Sequence, residues 1–450
     1  MTDTTAGAVQ VKAPATRGRL LQILGVAFGL AVIIGNTIGV GILRTPGDVA
    51  THLPDSRWFL GAWLVGGVYA LLGALSLAEL GAMVPESGGQ YVFVRRALGE
   101  YAGFAVGWSD WLSTCAAMAL VTISMGDYSA AVWPALQGKS VWFALSITGI
   151  LTVIQAMGIK AGDLTQQITS LLKTVVLVAL AGVCLAWTPP AQAAPVVQAA
   201  PPVLGFSAIV LALQGVIYTY DGWNGMLYFS GEVKNPGRDI PRAMAGGVLA
   251  VIAIYLLLNL AFLHVLTPAR MAGQDLVAAT AAREIFGAKG DIVVRGVLLV
   301  SLFSAANAIL LIGSRLPYAM SRDGMLGSMF AAVSPSGAPR PSLYLSALAT
   351  AILLVTGTFD QILALAAFFY VVCYTSSFVA VFILRVREPA TPRPYKAFGY
   401  PWVTGFLVVG SLAFLVGNVI SDTKNSLVEL GILVASYPVF LLVRRARSRA

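Results

Sequence analysis

Gly35-Asn36-Thr37-Ile38-Gly39-Val40-Gly41 lies inside an uncharged apolar run that extends from Leu20 to Leu43. A bilayer's hydrocarbon core is about 30 Å thick, and a helix crosses it in roughly 20 apolar residues. The run is therefore long enough to span, yet its middle mixes three glycines with two polar side chains. Each glycine costs a helix interior about 1 kcal/mol relative to alanine. Such a composition predicts a helix broken at membrane depth. Other windows read as plain spans: Trp58 to Ala78 and Val141 to Ile159 also carry no charge. Backbone groups in lipid must satisfy one another, so these runs are helices. None alternates polar and apolar as the strands of a membrane barrel do.

Hydrophobic residues make up 58% of the 450 positions and charged residues 11%, against about 25% charged in an average soluble domain. Apolar windows predict an all-α membrane protein with 12 transmembrane helices. The first five spans lie near 21–47, 58–83, 101–132, 141–159 and 165–187. The next five lie near 205–231, 243–266, 291–316, 341–357 and 361–384, and two more near 401–419 and 427–443 close the chain. Residues 1–19 form a cytoplasmic tail, and the run that follows is too long for a signal peptide, so it is expected to stay as the first span. Residues 188–204, rich in Pro and Ala, are expected to form an external loop, and 388–450 hold the last two spans and a cytoplasmic tail.

The net charge of +9 does not point to nucleic acid, because the basic residues sit in short loops and at the ends. With the N-terminus inside, 20 basic residues fall on the cytoplasmic side and 8 outside; Lys173, within a span, completes the 29. Both termini are then cytoplasmic, with Arg444, Arg445, Arg447 and Arg449 anchoring the last helix.

A second interruption, Tyr218-Thr219-Tyr220-Asp221-Gly222-Trp223-Asn224-Gly225, falls in the middle of span six. Gly39 and Gly222 are 183 residues apart, and each break lies in the first helix of a five-span set. Five is odd, so the sets 20–187 and 205–387 have opposite orientation, the mark of a 5+5 inverted repeat with discontinuous helices 1 and 6. Unwound helices expose N–H groups that suit a carboxylate and carbonyls that suit an ammonium. An α-amino acid carries both, one carbon apart. Glycines at 25, 29, 66, 67 and 73 are instead expected to serve close helix packing.

Lys173 lies about eight residues into span five, roughly 12 Å from its expected cytoplasmic end. A charge at that depth costs about 2.5 to 3.5 kcal/mol and marks a functional position unless the side chain snorkels. Asp221, in the second break, has two readings: a backbone hydrogen-bond acceptor or a counter-charge for an amine. Asp110 in span three receives no role. His52 and His264 are the only histidines, and Cys115, Cys184 and Cys373 fall singly in apolar windows. No metal, cofactor or acid/base centre is predicted, so a membrane enzyme has little support. A receptor would not need two broken helices in register.

Several motifs resemble the amino acid, polyamine and organocation superfamily, within it the L-type amino acid transporters and bacterial serine/threonine exchangers. They are Ile38-Gly39-Val40-Gly41-Ile42, with Val40 where the family usually has Ser; Ala78-Glu79-Leu80-Gly81 with Pro85-Glu86-Ser87-Gly88-Gly89-Gln90-Tyr91; Tyr220-Asp221-Gly222-Trp223-Asn224 with Gly231-Glu232-Val233-Lys234-Asn235-Pro236; and Ala306-Asn307 with Ser314-Arg315. The resemblance implies a leucine-transporter-like fold and alternating access for small neutral L-amino acids, with cationic amino acids or polyamines as the alternative. It implies that the Val40 and Gly41 amides, beside Gly39, meet the carboxylate, and that carbonyls near Thr37, Tyr218 and Tyr220 hold the amine around Thr219 and Asp221. Tyr218 would be an aromatic gate, Phe368 and Tyr370 would line the far side, and Lys173 would take the place of a sodium ion. Glu79 and Arg315 are expected in gate or loop salt bridges. Trp133 to Ser140 lacks the cysteine that links a heavy chain, so no disulfide-linked partner is expected beside substrate and lipid. The expected location is a bacterial inner membrane.

Overall fold

A computed structural model describes residues 20–188, 205–356, 359–421 and 423–447. The expected N-terminal tail, all but the first residue of the 188–204 loop, and Arg449 lie outside the described residues. The architecture is all-helical, and the one bridge of extended chain among the described residues pairs Leu24 with Val233. The α-helices are α1 (Val26–Thr37), α2 (Gly41–His52), α3 (Ser56–Met83), α4 (Gln90–Leu98), α5 (Glu100–Val132), α6 (Ser140–Ala156), α7 (Ile159–Ala186) and α8 (Phe206–Thr219). They continue with α9 (Pro236–Val265), α10 (Pro268–Met271), α11 (Val277–Phe286), α12 (Gly290–Arg322), α13 (Arg340–Thr356), α14 (Phe359–Arg387), α15 (Trp402–Ser421) and α16 (Thr423–Arg447).

Among the described residues, seven helices are long and apolar enough to cross a membrane: α3, α5, α7, α9, α12, most of α14 and most of α16. The pair α1 and α2, bent by 49° at its break, makes an eighth span if counted together; α6, α8, α13 and α15 hold shorter apolar runs. Local chemistry sets the helix ends. Asp55 caps α3 by accepting from the amides of Arg57 at 2.8 Å and Trp58 at 3.4 Å. Pro236, whose missing N–H costs nothing in a first turn, opens α9.

Polarity is arranged inside out. Along α7, Gly162, Gln166, Ser170, Lys173 and Leu177 are buried, whereas Leu164, Ile168, Leu171 and Val175 are exposed. In water that order would be ruinous; in lipid it is the favourable one, because the exposed face meets hydrocarbon. A buried polar ladder crosses the bundle: Gln155 of α6 donates to the Asn307 side chain of α12 at 2.9 Å. Asn307 donates to Gln166 at 2.8 Å, and Gln166 donates to the Ala31 carbonyl of α1 at 3.1 Å.

Several boundaries differ from those expected: α9 begins at Pro236, ahead of 243, and α12 runs to Arg322, past 316. Helix α7 begins at Ile159, six residues early, because Gly158 at φ +141° ends the preceding turn and lets the new helix start at once. Lys173 thus lies 14 residues in, about 21 Å along the axis and deeper than the 12 Å expected. Where the second half of span six is expected, the chain forms a 3-10 helix over Gly225–Glu232. Short helices α4, α10 and α11 connect the spans and have no transmembrane run to announce them. Both described ends of the chain meet the connection between α12 and α13: Leu21 packs against Gly337 and Arg447 against Gly324.

Candidate functional site

The predicted breaks are present and they touch. Helix α1 stops at Thr37, Ile38 turns extended, and α2 restarts at Gly41; α8 stops at Thr219 and the chain turns through Tyr220–Asn224. Gly222 has φ +108°, and a Cβ there would lie 2.9 Å from the Asn36 backbone carbon. Only glycine allows both the conformation and this approach. The Asn36 amide donates to the Gly222 carbonyl at 3.1 Å, and a Cβ on Gly41 would meet the Thr219 side chain at 2.9 Å. Thr219 in turn donates to the Thr45 hydroxyl at 2.8 Å, tying α8 to α2.

Unwinding frees backbone groups on both sides of the first break. Among the described residues, none of the Gly39, Val40, Gly41 or Ile42 amides donates to a backbone carbonyl, so α2 presents an open N-terminus. A Cβ added at Gly39 would meet open space. Carbonyls released at the end of α1 are taken by side chains. Lys173, 1% exposed, donates from Nζ to Gly35 at 2.9 Å and Ile38 at 2.5 Å, and Ser301 adds a bond to Ile38 at 3.1 Å. The lysine does not snorkel. Tyr255 of α9 places its hydroxyl 3.0 Å from both the Thr37 and the Thr219 carbonyls, and its one proton serves one of them at a time.

The remaining expected residues divide into two groups. Tyr218, Asp221 and Tyr370 line a cavity of about 560 Å³ shared with Trp223, Tyr374 and Phe378. The Tyr374 hydroxyl donates to Asp221 at 2.5 Å, and the Trp223 and Tyr374 rings stack at 5.1 Å. Asp221 therefore faces α14 and the cavity, while Thr37, Gly39, Val40 and Gly41 lie at the first break. Tyr220 turns its buried ring between Trp63 and Tyr255, leaving its main chain in the turn. Phe368 is buried edge-on against Phe369 and does not line the cavity.

At the end of the bundle where the described chain begins and ends, Arg315 and Glu232 form a buried bidentate pair at 3.0 Å for each bond. The guanidinium also lies over the Phe229 ring at 4.8 Å, and Ser87 donates to Glu232 at 3.4 Å. Glu79 accepts from Arg385 at 2.9 Å and from Arg393 at 3.1 Å. Outside the spans, Arg96 holds Glu388 through a two-bond pair and keeps its carboxyl below the usual glutamate range.

Sequence reasoning missed Tyr255 and Ser301. A single hydroxyl in an apolar window is a weak signal, since membrane helices carry many. No group of three or more metal-ligating side chains occurs among the described residues.

A family model for amino acid permeases matches residues 24–442. The chain is 30% identical over 437 residues to the serine/threonine exchanger SteT of Bacillus subtilis, covering 95% of this chain and 98% of that one. It is 28% identical to the mouse Asc-type amino acid transporter 1, covering 95% and 82%. It is also 26% identical to the mouse large neutral amino acids transporter small subunit 2, covering 94% and 81%. Since the match takes in both broken helices, the lysine between them and the paired charges beyond, the chain belongs to the amino acid permease family.

Proposed function

We propose that the protein carries small neutral L-amino acids across a bacterial inner membrane by alternating access. The observation that carries this reading is the contact between the two broken helices, which sets open amides of α2 beside carbonyls of α1 and α8. A carboxylate fits the amides at the start of α2. The ammonium fits the Thr37 and Thr219 carbonyls, displacing or sharing the Tyr255 hydroxyl. Gly39, with nothing beside it, leaves room for the α-carbon, and Tyr218, which lines the neighbouring cavity with Asp221, is the gate on this reading. On this reading the chain has twelve spans in a leucine-transporter-like 5+5 arrangement, with both termini cytoplasmic. The meeting of both described ends at one end of the bundle supports an even number of spans.

The relatives named for serine, threonine and other amino acids favour neutral substrates. Cationic amino acids or polyamines are the second reading, favoured by Asp221 on the cavity wall. The test is exchange of labelled serine in proteoliposomes challenged with unlabelled serine, threonine, leucine, arginine and putrescine. Serine or threonine should compete most strongly and putrescine least. Uptake no greater than in protein-free liposomes for every labelled compound would end the transport reading, and preferential competition by arginine would replace the neutral one.

A further inference from the structure

Asp110 sits on α5, fully buried, and its carboxylate makes no salt bridge among the described residues. Both carboxylate oxygens lie 2.9 Å from the Tyr228 hydroxyl, which has one proton to give. That hydroxyl oxygen in turn accepts from Asn224 at 3.3 Å and from Gln90 at 3.3 Å. Gln90 accepts from Ser377 of α14 at 3.0 Å. Five elements are thus linked through the Tyr228 hydroxyl: α5, the 3-10 helix that carries Tyr228, the turn before it, α4 and α14.

The ionisable neighbours can be named. Tyr228 comes from the 3-10 helix, Asp221 from the turn, and Tyr370 and Cys373 from α14. The other helices packed on α5, among them α4, α6, α12, α13 and α16, bring no lysine or arginine within 4.0 Å of Asp110 among the described residues. Among the described residues, buried Glu232 is paired with Arg315 and buried Glu79 with Arg385 and Arg393, whereas Asp110 has a phenol.

We propose that Asp110 is a proton-binding site that couples proton movement to amino acid transport by releasing the broken turn of span six. The hydrogen-bond count supplies the mechanism. With Asp110 ionised, the Tyr228 hydroxyl donates a hydrogen bond to the carboxylate and its oxygen accepts from two amide donors, so the network is complete. Protonation adds a donor where there was an acceptor. The new O–H can bond the Tyr228 oxygen only if Asn224 or Gln90 gives up its place. Leaving Asn224 frees the turn that follows the Thr219 carbonyl; leaving Gln90 frees the tie to α14. The proton joins one carboxylate oxygen from one side of the membrane and leaves to the other, with no other covalent bond changed.

The inference rests on the transport reading above, so the experiment separates the two. Protein is reconstituted with a pH-sensitive dye in the lumen, and labelled serine uptake and lumen pH are followed together between pH 5.5 and 8. The wild type should acidify the lumen as serine enters, with uptake falling by about tenfold per pH unit on the alkaline limb, as for a single titrating group. Asp110→Asn should abolish acidification and flatten the profile, and Asp110→Glu should keep both. Absence of any uptake by the wild type overturns the transport reading. Uptake by the wild type with constant lumen pH and a flat profile overturns the proton site whether or not the variants fold, as does acidification by Asp110→Asn at the wild-type rate.

Discussion

Removing the Lys173 ammonium tests how the first break is held. Lys173→Met keeps the length of the stem and deletes the donors. The Gly35 carbonyl then has no side-chain donor among the described residues, while the Ile38 carbonyl keeps Ser301 at 3.1 Å. A buried polar group left unpaired costs about 1 to 3 kcal/mol. At about 1.4 kcal/mol per factor of ten, this shifts the balance between closed and released α1 by roughly 5- to 150-fold. Lys173→Ala removes the buried stem as well and adds a cavity, so it should melt at a lower temperature than Lys173→Met. Serine exchange in proteoliposomes should fall by about that factor in Lys173→Met and further in Lys173→Ala, and added sodium should restore neither. If both variants exchange serine at the wild-type rate and melt at the wild-type temperature in detergent, the lysine does not brace the break.

Gly222→Ala forces a Cβ into the Asn36 backbone at a left-handed φ, a conformation that costs a non-glycine residue about 1 to 2 kcal/mol before any clash. Serine exchange should fall at least tenfold, and exchange within twofold of wild type would mean that the two breaks need not touch. Glu232→Gln leaves Arg315 buried without its counter-charge, a change that costs about 3 to 5 kcal/mol in such pairs; the melting temperature should drop clearly, and an unchanged one would show that the pair adds nothing. The Arg96–Glu388 pair predicts a pH dependence. Glu388 has a depressed value in the fold, so its contribution is complete above the ordinary 4.5 and is lost as pH falls through the lower folded value. Glu388→Gln should lower the melting temperature at pH 7 by an amount worth at most about 1 kcal/mol, because the pair's side chains are 36% and 27% exposed, and the difference should close in acid; a constant difference down to pH 3 would contradict this.

Much of this arrangement was legible before any coordinates. Apolar windows mark the seven membrane-length helices among the described residues, because a helix in lipid must be long and uncharged, and Gly39 and Gly222 mark the breaks because glycine has no reason to cluster with polar groups at that depth. Lys173 was legible for the same reason: its cost demanded partners, and they are the Gly35 and Ile38 carbonyls. What could not be read was which side chains meet across helices. Arg315, Glu232 and Ser87 all stood in quoted motifs, yet their pairing depends on how α12 and the 3-10 helix cross. Asp110 received no role because its partner, Tyr228, is 118 positions away and carries no charge. Asp221 divided between two readings for want of knowing which way the turn faces; it faces Tyr374.

The bridge between Leu24 and Val233 is built from two main-chain hydrogen bonds, Leu24 N–H to Glu232 and Lys234 N–H to Leu24, both 2.9 Å. By main-chain atoms it fastens the lead-in of α1 to the exit of the 3-10 helix, below the point where each span is broken. Because the clamp consists of amides and carbonyls, side-chain replacement at Leu24 or Val233 leaves its atoms in place. Wear of the sequence there would alter how these segments pack against their surroundings, while the clamp itself would fail only where a proline removed one of its two N–H groups.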